Sequence, residues 1–166
     1  MAVTMDVVRM FDAYTRWADT RCLDALGGLS AEAWLKDVGG SFGSIRNTAV
    51  HLVSAQAVSL SRWKGQPVHM WKPEEVPTPS ALRARWEEVA RDRGAFLADQ
   101  TDATLAQEVR YTTADGKSYA TPLGEFFLHM ANHSTYHRGQ LSAFLRNVGV
   151  KPPSTDFIVW IRAGKP

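Results

Sequence analysis

Apolar residues recur at spacings of three and four along four separate stretches of this chain, and glycine or proline punctuates the intervals between them. That period belongs to amphipathic helices, each of which must bury one stripe against a neighbour. The first stretch runs from about Thr4 to Leu26, with Val7, Phe11, Tyr14, Ala18, Cys22 and Ala25 on its stripe, and Gly27-Gly28 stops it. The second follows Gly39-Gly40, with Ser41 or Ser44 as N-cap, and runs to Lys64 before Gly65. Ile45, Ala49, Leu52, Gln56, Leu60 and Trp63 mark its stripe. The next segment holds Pro67, Pro73, Pro77 and Pro79 and cannot be helical throughout, because each proline removes a backbone donor and restricts its neighbour. Ser80 is the expected cap of a third helix, with Leu82, Trp86, Val89 and Phe96 on one face. Its charge run of Arg83, Arg85, Glu87, Glu88, Arg91, Asp92 and Arg93 reads as a solvated face.

Val109 to Thr113 and Ser118 to Thr121 flank Ala114-Asp115-Gly116-Lys117, and an Asp-Gly pair between two short runs signals a β-hairpin. Thr121-Pro122 then opens a fourth helix, with threonine capping, proline at the first helical position and Glu125 in the first turn, running to Asn147 or Val148 before Gly149. The tail, with Pro152-Pro153 and the apolar run Phe157 to Ile161, is expected to pack back on the helices. Four amphipathic helices of about 20 residues predict an all-α four-helix bundle, with a small β-hairpin between the third and fourth helices, as a single domain over 1–166.

Several function classes are excluded on composition. Lysine and arginine number 19 against 17 aspartate and glutamate, so nothing singles out nucleic acid or an anionic membrane as partner. No run of about 18 uncharged apolar residues spans a membrane, and Asp6, Arg9 and Asp12 interrupt any secretory core. A single cysteine, Cys22, rules out an internal disulfide and reads as a small buried hydrophobe. The expected location is cytoplasmic.

Three of the five histidines, His129, His133 and His137, are spaced four apart in the fourth helix, where side chains stack on one side. Two histidines at i and i+4 make a natural bidentate claw for a divalent cation, each offering a neutral imidazole nitrogen. At about 100° per residue, His133 and His137 fall inside or within about 20° of the arc set by Phe126, Met130, Leu141, Phe144 and Val148, and His129 falls on its edge. A pair of core-facing imidazoles needs a shared partner, and a metal ion supplies one. His51 in the second helix is the candidate third ligand. It lies roughly 120° from its own helix's stripe, a position that suits either the flank facing a second neighbour or solvent. His69, among the prolines, reads as a surface residue.

Ser41-Phe42-Gly43-Ser44-Ile45, His51-Leu52, and above all His129-Met130-Ala131-Asn132-His133-Ser134-Thr135-Tyr136-His137-Arg138-Gly139-Gln140-Leu141 strongly resemble the DinB-like family of damage-inducible-type, metal-dependent four-helix proteins. Tyr14-Thr15-Arg16-Trp17-Ala18 and Leu145-Arg146-Asn147-Val148-Gly149 with Pro152-Pro153 extend the resemblance over nearly the whole chain. It implies a three-histidine site made of His51, His133 and His137, with His129 a neighbour and not a ligand. It also implies a homodimer, and kinship with thiol-dependent transferases and isomerases that use a low-molecular-weight thiol such as bacillithiol or mycothiol.

Three neutral imidazoles leave a divalent ion (zinc or nickel the expected occupants) its full charge and an open position. Such a site lowers the pKa of water toward about 7 or takes a thiol as thiolate. The expected function is therefore a metal-dependent enzyme acting on a small-molecule substrate by thiol-dependent S-transferase-like or hydrolase-like chemistry. The alternative is a non-catalytic metal-binding stress-response protein, whose ion would carry a fourth protein ligand. Tyr136, Asn132 and Arg138 are the candidate catalytic residues, and Gln140 also neighbours the ligands. Tyr136, Asn132 and Gln140 could orient imidazoles or substrate, and Arg138 could hold an anionic substrate group or pair with an acid at the surface. No carboxylate at motif-like spacing offers a general base, which favours Lewis-acid or thiolate chemistry over hydrolysis.

Overall fold

The computed structural model describes residues 2–166; of the expected 1–166 domain, Met1 lies outside the described residues. Among the described residues the chain forms seven α-helices: α1 (Met5–Gly27), α2 (Ala31–Leu35), α3 (Ile45–Trp63), α4 (Pro79–Ala98), α5 (Asp102–Leu105), α6 (Leu123–Asn147) and α7 (Phe157–Arg162). A two-stranded antiparallel sheet, β1 (Glu108–Thr112) and β2 (Ser118–Pro122), lies between α5 and α6, with Arg110 opposite Ala120. The four long helices carry the packing: α3 lies against α6 and α4, and α1 lies against α6 and α4. No helix among the described residues is long and apolar enough to cross a membrane.

Local sequence sets the helix ends, in places differently from expectation. Of the two serines before α3, Ser44 is the cap, its Oγ accepting from the Asn47 amide at 3.1 Å. α4 is capped by Thr78, two residues earlier than the expected Ser80, and this puts Pro79 at the first helical position where its missing N–H costs nothing. At α6 the expectation fails in the opposite sense. Pro122 is itself the N-cap and Thr121 belongs to β2, because the strand pairing runs out to Glu108 opposite Pro122 and holds both residues extended.

The two apolar clusters reveal the helix directions. One joins Cys22, Leu23 and Leu26 of α1 to Ile45 through Val53 of α3, Leu82 and Trp86 of α4, and Leu141 and Leu145 of α6. The other joins Met5 and Val8 to Leu60 and Trp63, Leu97, and Leu123 through Ala131. Hence α1 and α6 run parallel to each other and antiparallel to the α3–α4 pair. The chain must therefore travel the length of the molecule between α3 and α4, which is what the proline-bearing segment does. It is pinned on the way: the fully buried Ser54 Oγ accepts from the Trp71 amide at 2.9 Å and donates to Met70 Sδ, and Trp34 Nε1 donates to the Pro77 carbonyl.

Between the two clusters lies a buried polar layer. Asp19 Oδ1 accepts from Arg138 Nη1 at 2.7 Å, and its Oδ2 accepts from Gln56 Nε2 at 2.8 Å and from Trp86 Nε1 at 3.3 Å. Gln56 Oε1 in turn accepts from Arg93 Nη1, whose Nε donates to Asp12. The expectation of a solvated charge run thus fails at Arg93, which is fully buried: it sits four residues after Val89 and four before Leu97, on the inward stripe of α4. Two arginines and two aspartates cancel, and the charge-assisted bonds offset the desolvation of burying them. The tail folds back as expected, with Phe157 stacked on Phe11 and Tyr14 Oη donating to the Thr155 carbonyl.

Candidate metal centre

His51 projects from the flank of α3 that faces α6, and His133 and His137 project from adjacent turns of α6. His133 Nε2 lies 3.3 Å from His51 Nε2 and 3.0 Å from His137 Nε2. One nitrogen from each ring falls within 4.8 Å of the others, a group that could hold a metal ion. Helical spacing left His51 free to face either a neighbour or solvent; the ring is half-buried and turned to α6. His137 is buried, and His133 is half-buried.

Chain geometry behind His51 completes one wall. Residues 39–44 form a tight loop in which Asp37 pairs with Ser44 and the Val38 amide donates to the Gly43 carbonyl. Gly40 sits at φ +75°, and a Cβ there would meet Phe144 Cζ at 2.9 Å, so the position needs glycine on both counts. The loop lays Phe42 on His51, ring centroids 4.3 Å apart at 26°, and edge-on to His137 at 5.7 Å. Asn47 Nδ2 holds the Phe42 carbonyl at 2.9 Å. Spacing arguments passed over Phe42 as a site residue; the signal available was a phenylalanine framed by glycines just before a capped helix.

Burial drives the electrostatics. It pushes His51 down to about 4, with His137 adding repulsion, and pushes His133 down to about 4, with repulsion from His137, His51 and His129. Burial also lowers His137, against a raising contribution from its hydrogen bond to Gln140. All three rings are therefore neutral near pH 7, the state in which imidazole ligates. No carboxylate among the described residues joins the cluster or contributes to these shifts.

The donor set fits a cation. Gln140 Oε1 lies 2.7 Å from His137 Nδ1 and can only accept, so that nitrogen carries the hydrogen and Nε2 is bare. A single hydrogen on His133 Nε2 would have to be shared between two neighbours, and without it lone pairs oppose each other. One cation at the focus of three lone pairs relieves all of these contacts. Tetrahedral zinc at about 2.0–2.1 Å from nitrogen would space its ligands about 3.3–3.4 Å apart, which matches the 3.3 Å His51–His133 separation and asks the 3.0 Å His133–His137 pair to open slightly.

The other expected residues sit elsewhere. His129 is exposed, its ring 5.6 Å from that of His133 and outside the cluster. His69 is exposed and meets Glu75 at 3.2 Å. Tyr136 is 61% exposed, its ring 5.1 Å from His137, while Asn132 is exposed on the outer side of α6. Arg138 is 1% exposed and bound to Asp19 and to Thr135 Oγ1 at 2.7 Å, so it pairs with an acid in the interior and not at the surface. Cys22 is buried, and burial pushes its thiol up to about 12, which leaves it inert.

The DinB family model matches residues 1–164. The chain belongs to the DinB family. It is similar to Protein DinB of Bacillus subtilis (strain 168), with 21% identity over 154 residues that cover 89% of this chain and 90% of that protein. Its fold resembles the crystal structure of a DinB-like protein from Bacillus cereus ATCC 10987, with a TM-score of 0.73 and 21% identity over 93% of this chain and 99% of that one. An uncharacterised protein from Escherichia coli UTI89 is similar at a TM-score of 0.62 and 14% identity, covering 91% and 98%. DinB membership and a mostly helical DinB-like fold thus accompany the three-histidine cluster found from geometry.

Proposed function

We propose that this DinB protein is a metal-dependent enzyme built as a four-helix bundle, in which His51, His133 and His137 hold one divalent ion, zinc or nickel. The observation that carries the reading is the convergence of three imidazole Nε2 atoms, with no fourth His, Cys, Asp or Glu among the described residues joining the group. An ion held by these three rings would supply Lewis-acid chemistry toward a thiol or water. The chain's own residues bind and orient. The three rings supply the ligand nitrogens, Phe42 walls off His51 from solvent on one side, and Gln140 accepts the Nδ1 hydrogen of His137.

Three neutral ligands compensate none of the ion's double charge, and no carboxylate among the described residues joins the cluster, so an anionic partner is favoured. A thiolate meets that requirement without a general base, which supports thiol-dependent transfer to a small electrophile over hydrolysis. The thiol comes from a low-molecular-weight cofactor, since Cys22 is buried in the apolar cluster and burial pushes its own thiol up to about 12. The test is to load the purified protein with Zn²⁺ or Ni²⁺ and supply a panel of small thiols and electrophiles. Thioether formation that is abolished by chelation is expected. Hydrolysis of esters or amides with no turnover of any thiol would overturn the transferase reading.

A further inference from the structure

We infer that Gln140 is a positioning residue for the histidine centre: its amide fixes His137 in the tautomer that turns a bare Nε2 toward His51 and His133. The inference rests on the metal-site reading above and deepens it. Gln140 lies one turn after His137 on α6, and its Oε1 stands 2.7 Å from His137 Nδ1. An amide oxygen cannot donate, so the ring hydrogen is on Nδ1, and in a neutral imidazole the other nitrogen then carries the lone pair.

The other end of the amide has a partner as well: while Oε1 faces His137, Nε2 lies 3.4 Å from Tyr136 Oη, at the i, i+4 spacing. Tyr136, one of the candidate catalytic residues, thus touches Gln140 through its hydroxyl and sets its ring edge-on to that of His137, 5.1 Å between centroids. His51 and His133 are different. Among the described residues their hydrogen-bond-distance contacts run through Nε2 alone, and no protein oxygen holds their Nδ1. Of the three rings, His137 is the one whose tautomer the protein itself sets. Partners of this kind orient the ring and raise its basicity, and their loss typically weakens metal binding 10–100-fold.

The test uses Co²⁺ alone as probe, in competition with a chromophoric chelator, on the full chain. Gln140→Met keeps the length and removes the acceptor; it should weaken Co²⁺ binding about 10–100-fold and alter the visible ligand-field spectrum. Gln140→Glu restores an acceptor and should bind at least as tightly as wild type. Equal weakening by both substitutions, or wild-type affinity in Gln140→Met, would overturn the positioning role while leaving the three-histidine centre standing. A wild-type protein that binds no Co²⁺ would overturn both. Long-range ¹H–¹⁵N correlation spectra of the unsubstituted, metal-free protein decide the matter without any variant. They should show His137 protonated at Nδ1, and a ring protonated at Nε2 would contradict the inference.

Discussion

Asp19 and Arg138 carry the strongest single-residue consequence outside the histidines. Each is 1% exposed or less, and each is satisfied chiefly by the other and by side chains of the same polar layer. Removing one partner strands the other as a buried charge, which costs about 3–5 kcal/mol. Asp19→Ala should therefore lower the urea unfolding free energy by that amount, and pairing it with Arg138→Met should recover a large part. A loss below about 1 kcal/mol in the single variant would show that the layer is not held together this way. The residue scale is also where the sequence misleads. Arg93 and Arg138 read as surface or substrate-binding groups when judged by type, yet both fall at helical spacings from core residues: Arg93 four before Leu97, Arg138 three before Leu141. That spacing was the signal that went unread, and nothing in one helix's sequence names the Asp12 or Asp19 on another that makes inward placement tolerable.

At the scale of elements, the four long helices and the hairpin were legible because each repeats its pattern over many residues or carries specific turn chemistry, as Gly116 does at φ +82°. The short helices α2, α5 and α7 were not, since four to six residues give too few turns for a period to register. The loop before α3 is the element that couples fold to site. Gly40→Ala would add a Cβ 2.9 Å from Phe144 Cζ at positive φ, and should destabilise the protein by about 1–3 kcal/mol while loosening Phe42 from His51. Gly39→Ala, at φ +71° but facing open space, should cost less, because only the backbone preference is lost. Thermal unfolding of the two variants side by side gives the comparison. Equal losses would mean the Phe144 contact does not constrain the loop.

For the whole molecule, the depressed histidines link stability to pH. His51 and His133 titrate at about 4 in the folded chain against the ordinary 6.5, so the unfolded chain binds more protons between those values. Stability therefore rises with pH across that window and falls as pH drops from about 6.5 toward 4. Acid unfolding of the metal-free protein should show this dependence, and replacing His51 with a residue that does not titrate should flatten it. Bound metal should steepen it, because protonation and ligation compete for the same nitrogens. The cluster itself was only half legible. His133 and His137 share one helix face, whereas the side of α3 on which His51 lies depends on the antiparallel packing of α3 and α6, a whole-molecule property.

The metal-dependent reading proposed above stands or falls on whether His51, His133 and His137 jointly bind one divalent ion. Metal at about 100 times its dissociation constant stabilises a folded state by roughly 2.7 kcal/mol, which for a chain of this size raises the unfolding midpoint by about 5–11 °C. The most direct measurement is that midpoint, with and without chelator, together with bound-metal stoichiometry, for the wild type and for alanine substitutions of the five histidines. One ion per chain is expected, with a chelator-sensitive shift that is largely lost in His51→Ala, His133→Ala and His137→Ala but kept in His129→Ala and His69→Ala. Full metal content and an undiminished shift in His51→Ala would contradict it.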